Sequence, residues 1–144
     1  TFNHTFWSKN TPRRSTYLAC RAVLAAKRQH REYEMIDAIQ KGYYLRAMNP
    51  SDEAVLIQLA EEILDQVEGA REHFCADLRS SDIEQALQQH IRQSRLFQRQ
   101  GLANGFPSLV LSLVCEGGEE KMCQIDIDYK KSDTVLSQIR ELLS

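Results

Sequence analysis

The sequence predicts an α/β chain in which a long helical block precedes a strand–turn–strand–helix unit. Three observations predict it. Apolar residues recur at helical spacing from about residue 15 to Gly101. The period then changes to two: Leu109, Leu111 and Leu113 alternate with Val110, Ser112 and Val114, and Ile125, Ile127 and Tyr129 alternate after the turn-forming stretch EGGEE. A final apolar stripe, Val135, Leu136, Ile139, Leu142 and Leu143, returns to helical spacing.

Residues 1–14 read as a short extended segment and a loop, because TFNHTFW is aromatic and β-branched and SKNTPRR breaks it. Ser15 is expected to cap a helix to about His30, with Ala19, Ala22, Val23 and Ala26 on one stripe. So many small residues predict close packing against a neighbour. A second helix is expected over 32–48, with Met35, Ile36, Ile39, Tyr43 and Ala47 inward; Tyr43 and Tyr44 are adjacent, so at most one faces the core squarely. Asn49 or Ser51 caps the third helix, Pro50 suits its first turn, and Asp52 and Glu53 follow where the helix dipole favours acids. A shorter helix is expected over 68–78. Ser81 to Glu84 (SDIE) match a capping box, Ile83, Leu87, Ile91 and Ser94 continue that helix, and Gly101 ends it. In the hairpin, a register centred on Glu119 sets Leu113 opposite Ile125, Leu111 opposite Ile127 and Cys115 opposite Cys123. Ser132 caps the last helix. The expected divisions are 1–14, a helical subdomain 15–101, and a strand–strand–helix unit 102–144.

The 144 residues suit one ordinary domain, and 42% hydrophobic with 26% charged residues is the composition of a water-soluble globular chain. No apolar run reaches the roughly 20 residues that span a bilayer, so no membrane partner is expected. Residues 1–31 carry seven basic side chains (Lys9, Arg13, Arg14, Arg21, Lys27, Arg28, Arg31) and no acid, whereas the rest carries 11 basic against 20 acidic. The charges are spread and no nucleic-acid motif accompanies them. We therefore read them as a solvated face that pairs with acids elsewhere, and Trp7 as a packing residue, and expect no nucleic-acid partner. Cys20, Cys75, Cys115 and Cys123 include no CxxC, and His4, His30, His73 and His90 are scattered, so no metal site is expected. Cys20 and Cys75 are expected to be buried free thiols.

Three stretches in this order carry a family resemblance. STYLACRAVLAAKRQ and YYLRAMNPSDEAVLIQLA resemble the inserted helices, and NGFPSLVL the proline loop, of the DsbA-like branch of the thioredoxin superfamily, related to FrnE-type dithiol oxidoreductases. The resemblance covers about residues 10 to 142. It implies a partial thioredoxin-like fold with a DsbA-type helical insertion, followed by the hairpin and the last helix.

It further implies a thiol–disulfide oxidoreductase whose catalytic CxxC precedes the inserted helices and so lies upstream of this chain. The catalytic residues are then none of those present, and the chain alone is expected to be inactive. The resemblance makes Gly105, Phe106 and Pro107 the substrate-binding loop, with Pro107 cis. From the residues alone a trans bond at a strand start is the rule, since cis is about 5–6% of X–Pro bonds in folded proteins. The family's residue before this proline is commonly the smaller Thr or Val, so substrate preference does not carry over to Phe106. The implied partners are a protein or a small thiol or disulfide, with no cofactor. A homodimer through the open sheet edge is a candidate assembly. A cytoplasmic location is expected, with the periplasm the alternative. Two other functions fit less of the sequence: a glutathione-using transferase or isomerase of the kappa type, and a non-catalytic protein- or nucleic-acid-binding module.

Overall fold

The computed structural model describes residues 2–11, 15–64, 68–115 and 117–143. Among the described residues seven helices and two strands run in the order α1 Phe6–Lys9, α2 Tyr17–Lys27, α3 Glu32–Arg46, α4 Glu53–Leu64, α5 Ala70–Arg79, α6 Ser81–Arg99, β1 Leu109–Val114, β2 Glu120–Ile125 and α7 Ser132–Leu143. The helical block before a hairpin and a last helix is the predicted architecture. The chain divides into two compact units, Thr1–Gln89 and His90–Ser144, with α6 running through the division.

In the first unit α2 packs on α3, α4 and α5. Its Ala22, Ala25 and Ala26 are fully buried, so its backbone lies close to its neighbours, as the small-residue stripe predicts. Around them lie Met35 of α3, Leu56, Leu59 and Ala60 of α4, and Phe74 and Leu78 of α5, each at most 1% exposed. Burying large apolar side chains contributes about 1.5–3 kcal/mol apiece, which makes this cluster the main source of the unit's stability.

Several local expectations are corrected. Phe6–Lys9 forms a turn of helix within the segment expected to be extended, because Asn10 N–H reaches the Phe6 carbonyl and the Phe6 ring is buried against Tyr43 at 4.5 Å. Trp7 meets Phe6 edge-on at 5.2 Å yet stays 72% exposed. Ile36 is exposed on α3, where Met35 and Gly42 are the buried positions. Asp52, one residue beyond the expected caps, opens α4: its carboxylate accepts from Ala54 N–H at 3.0 Å, while Asn49 turns the chain by accepting from Ser51 N–H. Ser80 likewise replaces Ser81 as the cap of α6, its hydroxyl accepting from Ile83 N–H. Glu84 is thereby free of the capping box and binds Arg21 and Gln88. Cys20 is exposed, because the inward face of α2 is occupied by alanines, and Cys75 of α5 is half-buried. The cap expected at Ser132 rests on a side chain outside the described set.

Four of the seven basic side chains of residues 1–31 are ion-paired within the unit. Arg28 pairs with Asp77 and Asp82, Arg31 with Glu34, and Lys27 with Glu32; Arg13 and Arg14 lie outside the described residues. The guanidinium of Arg21 donates to the Leu78 and Ser80 carbonyls at the end of α5 (2.7–3.1 Å) and to Glu84. Arg21 thus satisfies carbonyls that a helix end leaves unpaired. The Glu84 carboxyl is held below its ordinary value of 4.5, first by the Gln88 amide and then by Arg21. A lowered carboxylate pKa stabilises above the unfolded value, and that contribution disappears as pH falls through the folded value. Arg21→Leu is expected to destabilise the helical unit by about 1.5–3 kcal/mol, the range for hydrogen bonds to a charged group. Urea unfolding at pH 7 followed by circular dichroism measures it; an unchanged midpoint would show that the clamp contributes nothing.

The hairpin register differs from the one expected. Leu109 pairs with Ile125, Leu111 with Cys123 and Leu113 with Lys121. The reason is the turn. Gly117 and Gly118 take φ of 115° and 83°, a region other residues rarely enter, and Gly118 N–H closes on the Cys115 carbonyl. That centres the hairpin two residues earlier than Glu119 and sets Cys115 against Glu119. Cys115 and Cys123 are therefore about 13 Å apart along the ladder, beyond disulfide reach. The strand also ends at Ile125, so Ile127 and Tyr129 lie past it.

Candidate functional site

The site is built where α6 hands over to β1. Gly101, at φ 72°, ends the helix: Leu102 N–H donates to the Phe97 carbonyl at 2.9 Å and Gly101 N–H to that of Gln98 at 3.1 Å. This left-handed cap reverses the chain. Ala103 is buried at 8% exposure and anchors the turn, and Asn104 through Ser108 then stand in solvent. Ser108 Oγ donates to the Gly105 carbonyl, and the Asn104 amide reaches Gln124 of β2 at 3.4 Å. Leu109 enters the ladder opposite the buried Ile125.

The Phe106–Pro107 bond is cis. Phe106 is 85% exposed, so it is not a core aromatic. No hydrogen bond joins its N–H or carbonyl to any described residue. A donor and an acceptor are therefore offered side by side, which is what an added strand needs.

Two clefts flank this loop. One, of about 360 Å³, lies toward α6 and is lined by His90, Gln93, Ser94 and Phe97 with the loop and β1. The other, of about 270 Å³, lies toward the end of β2 and is lined by Gln124, Asp126, Ile127 and Tyr129. The Asp126 backbone is held by Gln138 of α7, which accepts its N–H and donates to its carbonyl, both at 3.0 Å. No cysteine lines either cleft. Among the described residues no group of His, Cys, Asp or Glu could hold a metal, and no helix is long and apolar enough to cross a membrane. A further cavity of about 390 Å³ lies in the helical unit against Phe6, Trp7, Tyr43 and Tyr44. It offers no thiol, carboxylate or imidazole, so the chemistry is sought at the proline loop.

The loop singled out in the sequence, Gly105, Phe106 and Pro107, stands exposed between the two clefts, whose linings also include His90 and Asp126, which the sequence did not single out. Those two line separate clefts beside the loop, and nothing in their local sequence marks them.

A helical block followed by a proline loop and a strand–strand–helix unit is the arrangement of part of a DsbA-like fold. Solved structures agree. The cytosolic disulfide reductase DsbM from Pseudomonas aeruginosa aligns over 100% of this chain and 69% of its own, with a TM-score of 0.66 and 23% identity. The same protein with GSH gives 0.65 and 22% over the same shares. A Nitrosomonas europaea protein proposed to be a disulfide isomerase gives 0.67 and 20%, over 91% of this chain and 59% of that one. The chain thus spans 59% to 69% of the length of these neighbours. No protein-family model matches the chain, and no curated protein matches it significantly.

Proposed function

We propose that the chain forms the helical insertion and substrate loop of a DsbA-like thiol–disulfide oxidoreductase whose catalytic CxxC lies on a segment preceding Thr1. The observation that carries this reading is the exposed Phe106 backbone, unpaired in front of Pro107, on a DsbA-like fold. The four cysteines of the chain are separate from the loop and from one another in sequence, which leaves the attacking thiol to another segment. One neighbour, named as a cytosolic disulfide reductase and solved also with GSH, supports a protein or small-thiol substrate and a cytoplasmic setting.

The loop's part is positioning. An extended substrate pairs with the Phe106 N–H and carbonyl, which sets its sulfur before the dithiol. For reduction, a thiolate of the CxxC attacks one substrate sulfur, the S–S bond breaks, and the other sulfur leaves as a thiolate. The second thiol, losing its proton, then attacks the mixed disulfide. The substrate leaves reduced and the CxxC is left as a disulfide.

Insulin reduction tests the reading in two proteins, the 144-residue chain and the same chain extended through the segment encoded before Thr1. The chain alone is expected to give no turnover above the uncatalysed rate. The extended protein is expected to be active and to lose activity when either thiol of its CxxC becomes Ser. Turnover by the chain alone that disappears on mutating Cys115 or Cys123 would overturn the proposal, as would a preceding segment without a CxxC. In the second case the kappa-type and non-catalytic readings would take its place.

A further inference from the structure

We infer that the proline loop selects an extended peptide carrying opposite charges on either side of its central residue, with the acidic side chain toward the cleft at His90 and the basic one toward Asp126. This deepens the function proposed above and rests on it. The two clefts share Gly105, Phe106 and Ser108 as a common wall. A strand paired with the Phe106 backbone therefore has one end over each cleft. Alternate side chains of a strand lie on one face about 6.5–7 Å apart, so residues flanking the central one reach opposite sides of the wall.

The two sides differ in charge. The cleft toward α6 has no acidic lining residue; it offers the His90 imidazole, the Gln93 amide and the Ser94 hydroxyl. Nor does the sequence from Gln85 to Cys115 contain a single Asp or Glu, while it carries Arg92, Arg95 and Arg99. Helical spacing sets these arginines on the face of α6 away from the cleft, where all three are exposed and none has an ion-pair partner among the described residues. Their charge adds to the potential of that side of the loop. On the other side Asp126 is the charged residue of the lining. Gln138 binds only its backbone groups, and its carboxylate makes no ion pair with a described residue. Asp128, two residues on, is occupied in capping the N–H groups of Lys130 and Lys131. The Asp126 side thus attracts a basic side chain, and the His90 side offers an acidic one hydrogen-bond donors with no carboxylate to repel it.

The test uses this chain and fluorescent heptapeptides with Ser at the centre in place of Cys, so that binding is read without chemistry. One peptide has Glu before and Lys after the centre, a second has the reverse order, and a third has Ala at both positions. Because strand pairing fixes the main-chain direction, one charged order is expected to bind about 3- to 10-fold tighter than the other at low salt, the scale of two exposed charge contacts. The neutral peptide is expected to fall between them. The preference between the two charged orders should shrink in high salt, and in Asp126→Asn and His90→Ala. The Phe106 amide resonance should shift with every peptide. Equal binding of all three peptides with that shift present overturns the charge preference and leaves the loop reading standing. Absence of any peptide-induced shift at Phe106 overturns both.

Discussion

Phe74→Ala is expected to cost the helical unit about 3–5 kcal/mol, the range for removing a fully buried aromatic side chain. Phe74 is 0% exposed and sits on α5 among the alanines of α2 and the leucines of α4, so no side chain can swing in from solvent to refill the space. The alanines have no rotamers with which to relax, and the leucines are held by their own helix. A loss of that size is a large fraction of the stability of a small domain, about 5–15 kcal/mol. For a unit of this length each kcal/mol corresponds to roughly 4–8 °C in melting temperature. The variant is therefore expected to melt at least about 12 °C lower by far-ultraviolet circular dichroism, which the helices dominate. A shift of under 3 °C would mean that the cluster around Phe74 is not the core of the unit.

Ile125→Ala is expected to cost about 2–5 kcal/mol and to undo the hairpin and α7 without unfolding α2 to α5. In the second unit Ile125 at 2% and Ala103 at 8% are the buried apolar side chains among the described residues. Around them Val114, Leu136, Leu142 and Leu143 remain 38% to 76% exposed. A unit whose apolar faces are so little covered has little stability to lose. Ile125 also faces Leu109, the first strand residue after the proline loop, so its loss frees the strand that anchors the site. Amide hydrogen exchange resolves the two units. Protection is expected to vanish from β1, β2 and α7 and to persist in α2 to α5. Equal loss of protection everywhere would show the chain to unfold as one cooperative body.

The partial covering of the second unit fits the proposed function. Val114 and the outward residues of α7 are apolar at positions where a two-stranded sheet leaves them in water. Further strands of a thioredoxin-like sheet would cover such a face and pair the open edges, which two strands alone leave as a template for other chains.

The sequence by itself determined the kind and order of the elements. Helix and strand differ in apolar period, and the change after Gly101 is legible without any tertiary contact. It also located the loop at Gly105, Phe106 and Pro107, because turn formers and a proline announce themselves locally and the resemblance rests on those same residues. The tertiary structure decided what depends on distant partners. Asp52 and Ser80 became caps over equally suitable neighbours one residue away, since a cap is chosen by where the helix packs. The hairpin register was decided by two glycines at positive φ, not by the best match of apolar residues, and that separated Cys115 from Cys123. Arg21 and Glu84 lie 63 residues apart, and His90 reaches the wall of Phe106 only when α6 folds beside β1. Pairings of this kind arise from chain reversal and packing, so no local pattern encodes them.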